Sequence, residues 1–161
     1  MPRITAEEAG GSNVAALLDV IKYAEIGPAL IKLSDDGYNV LVGSTPTKPL
    51  LFTSYATHPR VFNKRMNSTA AGAYQLLSRY YPHYTNLLHL RDFSPESQDR
   101  IALQMIKEQG ALQFIKDGFF GTALSLISNI WASMPFATYG QPTKGIDELH
   151  QVYVQAGGTI A

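Results

Sequence analysis

At 161 residues the chain fits one domain, 1–161, and is long enough to bury a sizeable core without metal or disulfide support. Thirteen basic and thirteen acidic residues balance to a formal charge of zero, which gives no footing for a nucleic-acid surface or a polybasic membrane anchor. Cysteine is absent, and a charged fraction of only 16% is made up by Tyr, Ser, Thr, Asn and Gln, a surface chemistry better suited to carbohydrate than to phosphate.

Residues 1–11 read as a loose arm or a short helical turn, since Thr5-x-x-Glu8 has capping-box spacing. This segment has no hydrophobic signal core, and no run of about 18 apolar residues follows anywhere, so a soluble protein made in the cytoplasm is expected. Ser12 or Asn13 is placed to cap a helix running to Ala24 or Glu25. Leu18, Ile21 and Glu25 share one face of it, with Asp19 and Lys22 pointing elsewhere, so the apolar stripe carries a carboxylate toward the core at the last turn. Gly27 and Pro28 stop the helix. Partial desolvation and the carbonyl ends of the helix both raise the pKa of such a group, which suits a general acid. The local pattern leaves open the plainer alternative, a terminal Glu that turns out to solvent.

Residues 28–37 read as a linker closed by a turn at Asp36-Gly37. Tyr38 to Gly43 has strand composition, and Leu50 to Thr53 is placed to pair with it across residues 44–49, making a small β lobe. Tyr55 to Arg60 reads as an exposed loop, and Ser68 to Leu77 as a helix with a hydroxyl cap and small first-turn residues. Ser94 and Pro95 start a helix whose inner face is Ile101, Ala102, Met105 and Ile106, ended by Gly110. Short helices follow at 111–116, at 120–131 with Phe120, Ala123, Leu124, Ile127 and Trp131 inward, and at 145–156. Between the last two lies a shaped loop rich in Gly, Pro and aromatics, Ala132 to Pro142. The sum is an α+β domain, mostly helical, with a small β lobe after the first helix and a cleft expected where the lobes meet.

Five strings in one order resemble a known family: Tyr38 to Gly43; Phe52-Thr53-x-Tyr55-x-x-His58-Pro59-Arg60; Ser68-Thr69-x-Ala71-Gly72-x-Tyr74-Gln75-Leu76-Leu77-Ser78-Arg79; Phe93-Ser94-Pro95-x-Ser97-Gln98-Asp99; and Ser128-Asn129-Ile130-Trp131-Ala132-Ser133-x-Pro135. From about Val14 to Gly158 the chain is similar to the bacteriophage lambda endolysin family. That resemblance implies a lysozyme-like fold of two lobes around a saccharide cleft and a lytic transglycosylase that cuts peptidoglycan for host cell lysis, with Glu25 in the catalytic position. It also implies a monomer that stays out of the membrane and reaches the periplasm through a separate holin. The chain departs from the family at Glu25-Ile26-Gly27, where Glu-Gly-Thr is usual, in the apolar segment Pro28 to Leu33, and at Ala70 and Ala73, where Gly and Arg are common.

Ordinary glycosidases use two carboxylates. Asp35 and Asp36 are the nearest candidates for a second one, in a hydrolysing muramidase, but they sit in a turn signal. A transglycosylase needs none, because the C6 hydroxyl of the same muramic acid is the nucleophile and Glu25 alone serves as acid and base. A third reading is a non-catalytic glycan-binding virion module on the same fold. Candidate substrate-binding residues are Gln75, Tyr74, Tyr139, Gln141, Tyr55, His58 and Asn129, with Tyr74 also readable as core and Asn129 as a helix-terminal hydrogen bonder. The four histidines, His58, His83, His89 and His150, lack zinc spacing, and no phosphate loop or Gly-x-Ser-x-Gly elbow occurs, so neither metal nor cofactor is expected.

Overall fold

The capping box at the N-terminus closes as its spacing requires. The Thr5 hydroxyl accepts from the Glu8 N–H at 3.1 Å, the Glu8 carboxylate accepts from the Thr5 N–H at 2.8 Å, and helix α1 follows at Ala6–Ala9. The arm is thus a short helical turn rather than loose, with Ile4 and Ala9 buried. The computed structural model describes residues 1–135 and 145–161. After α1 come α2 at Ser12–Ile26, α3 at Pro28–Leu33, a 3-10 turn at Ser78–Tyr80, α4 at Tyr81–Leu88, α5 at Pro95–Glu108, α6 at Leu112–Lys116, α7 at Phe120–Ile127 and α8 at Ile146–Gln155. The order is that of a mostly helical α+β chain. Two compact units divide it, residues 1–25 with 102–161 and residues 26–101, so the divisions fall inside α2, after Glu25, and inside α5, after Ile101.

In the first unit, α2 is buried on almost every side. Leu18 and Ile21 are fully buried, as their spacing predicts, but so are Val14, Ala16, Leu17 and Val20. Lys22, expected to point outward, is only 3% exposed, with its ammonium 3.5 Å from Asp19, which also takes the Met1 amino group at 3.2 Å. A helix with so wide an apolar surface belongs inside a core, and the one lysine it carries there is paired. Its first bond runs from the Ala15 N–H to the Gly11 carbonyl, so Ser12 and Asn13 lie within the first turn rather than capping it. Asn13 instead ties the chain ends together: its Oδ1 accepts from the Thr159 N–H at 2.9 Å and hydroxyl at 3.1 Å. The inward residues read for α7, Phe120, Ala123, Leu124, Ile127 and Trp131, are all buried, though the helix ends at Ile127. Phe120 stacks on Tyr153 of α8 at 4.4 Å, and Tyr23 of α2 donates to Glu148 of α8 at 2.5 Å.

In the second unit, the stretch read as a linker is helix α3, with Pro28 at its first turn, where a missing N–H costs nothing. Its Leu30 packs with Ile26 and Val40. The Asp36-Gly37 turn is present: both residues have positive φ, and the Tyr38 N–H closes on the Asp35 carbonyl at 2.8 Å. The β lobe is slight. Residues 39–42 pair antiparallel with 50–52 on one side, through Leu41 N–H to Leu50 O and Phe52 N–H to Asn39 O. On the other side they pair with 70–72, through Val42 N–H to Ala70 O and Gly72 N–H to Val40 O.

The helix expected over 68–77 does not form. That segment makes a tight turn from Ala71 to Leu76, with Gly72 at φ +85° and Gln75 at φ +51°. The physical reason is the Gln98 carboxamide, which occupies the space a Cβ on Gly72 would need and accepts the Ala73 N–H at 2.9 Å. Gln98 also donates to the carbonyls of Tyr38 and Phe93 at 3.1 and 2.9 Å. Next to it Asp99, fully buried, accepts on Oδ1 the hydroxyls of Tyr38 and Tyr74 at 2.7 and 2.6 Å. Burial first, then the Asp99 charge, raises both phenol pKa values and keeps both hydroxyls as donors. α5 starts as predicted: the Ser97 N–H donates to the Ser94 hydroxyl at 3.3 Å, and Pro95 is the first helical residue.

Replacing Asp99 with Ala removes the charged acceptor that two buried hydroxyls share and leaves them to each other. The variant is expected to lose about 3 kcal/mol in urea unfolding, and Tyr38→Phe, which removes one donor and leaves Asp99 its other, only about 1 kcal/mol.

Candidate active site

Glu25 ends the part of α2 that belongs to the first unit. The residue is half-buried. Ser133, in the turn after α7, donates its hydroxyl to Glu25 Oε1 at 2.7 Å. The two residues are 108 apart in sequence and lie in the same unit. Burial pushes the carboxyl up to about 7, against the pull of the Ser133 hydroxyl and backbone N–H, which favour the ionised form. The acid that the stripe carries inward therefore keeps its proton to higher pH than an ordinary glutamate, as a general acid requires. The first cause anticipated from the sequence, desolvation, is the largest here, and the plainer reading of a Glu turned out to solvent does not describe it.

The other candidate residues are placed as follows. Tyr74 is buried with its hydroxyl on Asp99, which is its core reading. Gln75 is in the turn rather than on a helix, and its amide nitrogen donates to the carbonyls of Gly72 at 2.9 Å and Val40 at 3.3 Å. Tyr55 is half-buried and donates to Asp35 Oδ2 at 2.6 Å. Asn129 is exposed at the end of α7 and donates to the Leu126 carbonyl at 3.2 Å, a helix-terminal role. Tyr139 and Gln141 lie outside the described residues. His58 was expected in an exposed loop but is 1% exposed. Its Nε2–H donates to the Leu76 carbonyl at 2.8 Å, its Nδ1 accepts from the Arg60 N–H at 3.0 Å, and its ring lies 4.9 Å from that of Phe93. Facing one carbonyl and one N–H, the imidazole is the neutral Nε2–H tautomer.

Of the second-carboxylate candidates, Asp35 holds Tyr55 and Asp36 occupies the turn at φ +49°. Among the described residues no group of three or more His, Asp or Glu is placed to hold a metal ion. Sequence reasoning missed Ser133 as a partner of Glu25; it stood inside a quoted motif, but nothing in local periodicity points 108 residues back along the chain.

The mostly helical α+β fold that carries this half-buried glutamate is lysozyme-like. Two solved structures bear this out. Bacteriophage lambda lysozyme complexed with a chitohexasaccharide matches with a TM-score of 0.84 and 42% identity, and a second lambda lysozyme structure with 0.81 and 41%, each covering all of both chains. The family model described as Endolysin matches residues 15–160. The endolysin of Escherichia phage P2 is 45% identical over 158 residues, 92% of this chain and 95% of that protein; the endolysin of Escherichia phage lambda is 45% identical over 149 residues, 90% and 91%. The chain belongs to the Endolysin family.

The His58 environment makes stability depend on pH. Burial, and secondarily the Arg60 charge, lower its pKa below the ordinary 6.5 against the raising effect of the Leu76 carbonyl. The neutral ring thus contributes stability that is present above pH 6.5 and is lost as pH falls through the lowered folded-state value. Glu25 acts with the opposite sign: its raised value gives stability below 4.5 that is lost as pH rises through about 7. The His58 contribution is therefore read as a difference. From pH 7 to 5 the unfolding free energy of wild type is expected to fall relative to that of His58→Gln in chemical denaturation, with parallel curves as the contrary result.

Proposed function

We propose that this chain is a phage endolysin that opens peptidoglycan as a lytic transglycosylase, cleaving the β-1,4 bond between N-acetylmuramic acid and N-acetylglucosamine with Glu25 as sole acid and base. The observation that carries the proposal is the Glu25 carboxyl at the end of α2, which accepts the Ser133 hydroxyl at 2.7 Å and which burial pushes up to about 7. Family membership and the lysozyme fold support an enzyme of the cell wall, and the chitohexasaccharide held by lambda lysozyme supports a glycan substrate.

In the first half of the reaction protonated Glu25 gives its proton to the glycosidic oxygen as the bond to C1 breaks. In the second the carboxylate takes the proton of the C6 hydroxyl while that oxygen bonds to C1, closing a 1,6-anhydro ring. Every proton is returned and no water is consumed. The nucleophile is already tethered to the reacting carbon, so the step gains its effective molarity without a second carboxylate. The competing use of Asp35 or Asp36 to activate water is less favoured, because Asp35 is engaged by the Tyr55 hydroxyl and Asp36 by its turn. The binding roles of Tyr55, Gln75, Tyr139, Gln141 and Asn129 belong to this proposal too. Among the described residues no helix is long and apolar enough to cross a membrane, and the reading includes release to the periplasm by a separate holin and action as a monomer.

Digestion of purified peptidoglycan is expected to give 1,6-anhydromuropeptides, each lighter by one water in the mass spectrum than a hydrolysis product, with no new reducing ends. Reducing ends in the products would establish a muramidase instead. Glu25→Gln is expected to lower the cleavage rate by about 1,000-fold, since a positioned general acid–base contributes on that order. Lysis that survives Gln at this position removes Glu25 from the chemistry, and saccharide binding without wild-type cleavage would indicate a glycan-binding module. The basic limb of the wild-type rate profile is expected at about pH 7, where Glu25 loses its proton.

A further inference from the structure

A carboxyl that works first as acid and then as base has two oxygens, and the reaction needs the proton to leave from and return to the one that faces the substrate. Nothing in an isolated glutamate distinguishes them. Here the environment does. Oε1 receives the Ser133 hydroxyl at 2.7 Å, a length typical of a strong O–H···O bond to a carboxyl group. Ser133 is itself 9% exposed, so water competes little for that hydroxyl. Among the described residues the influences on the carboxyl are burial and the Ser133 donors, with no ionised neighbour entering.

We propose that Ser133 is a positioning residue whose hydroxyl, donating to Oε1 of Glu25, keeps the transferable proton on Oε2 through both halves of the reaction. An oxygen that already accepts a hydrogen bond is the carbonyl oxygen of the protonated acid, since a proton on Oε1 would face the serine proton and force the hydroxyl to turn away. After proton transfer the same bond holds the carboxylate in place, so Oε2 is returned to the position from which the C6 hydroxyl is deprotonated. Ser133 gains and loses no proton. It acts through Glu25 and is not a group that attacks the substrate. The inference rests on the reading of Glu25 as acid and base, and its test separates the two.

Ser133→Ala removes the donor, Ser133→Thr keeps it, and Ser133→Cys keeps nearly the size and weakens it. The measurements are the pH profile of kcat/KM on purified peptidoglycan and the titration of the Glu25 carboxyl carbon by NMR in each variant. Ser133→Ala is expected to lower the plateau rate by about 10- to 100-fold through lost orientation. It is also expected to move the basic limb and the Glu25 titration to higher pH, with Thr at the wild-type position and Cys between. A serine that only supports the fold would lower the melting temperature and leave both titrations where they are, and that result, or a Thr variant shifted as far as Ala, overturns the proposal. Should the Ala variant fail to fold, the Cys and Thr pair decides by the same shift. If wild type cleaves nothing, the reading of Glu25 fails while the NMR titrations still decide whether Ser133 governs this carboxyl.

Discussion

Two consecutive side chains of α5, Gln98 and Asp99, hold the second unit together. The extended segments around residues 40, 51 and 71 share only a handful of backbone hydrogen bonds, fewer than an independent sheet needs. Gln98 joins the backbone at Tyr38, Ala73 and Phe93, and Asp99 joins the hydroxyls of Tyr38 and Tyr74. Each buried polar atom in this arrangement has a partner, which is the condition under which a polar core specifies a single structure rather than weakening it. The aromatic group around Phe93, with Phe52, His58 and Tyr81, then fills the space that the polar bracing fixes.

The first unit meets a different demand. Its long helix is buried along nearly its whole length, which gives a rigid mount for the one carboxyl at its end. A general acid needs a pKa near the working pH, and here two opposed effects set it: removal of water raises it, and the Ser133 donors lower it. The balance at about 7 is what the proposed acid and base role of Glu25 calls for.

What could be read from the sequence was local. Capping at Thr5 and Ser94, the turn at Asp36-Gly37 and the inward face of α7 each depend on residues a few positions apart, and each is found in the structure. The carboxyl at the end of an apolar stripe was legible for the same reason. The misreadings have tertiary causes. Ser68 to Leu77 has helix-start composition, yet the small residues serve a turn into which Gln98 reaches from α5. His58 lies before a proline in an irregular stretch and reads as exposed, but its two ring nitrogens are satisfied by backbone groups at Leu76 and Arg60. Pro28 to Leu33 reads as linker because a six-residue helix carries too little periodicity to declare itself.

The bond between Glu25 and Ser133 also bears on when the molecule becomes competent. Glu25 is made early and Ser133 near the end, and Asn13 is tied to Thr159 by the same kind of long closure. During synthesis the residues that α2 bonds to in the finished chain, Ser133, Glu148 and Thr159, are among the last to emerge. Contacts of such sequence separation are slow to form. A chain cut before Ser133 therefore lacks the hydroxyl that Glu25 accepts, and the surroundings of this carboxyl are complete only with the finished fold.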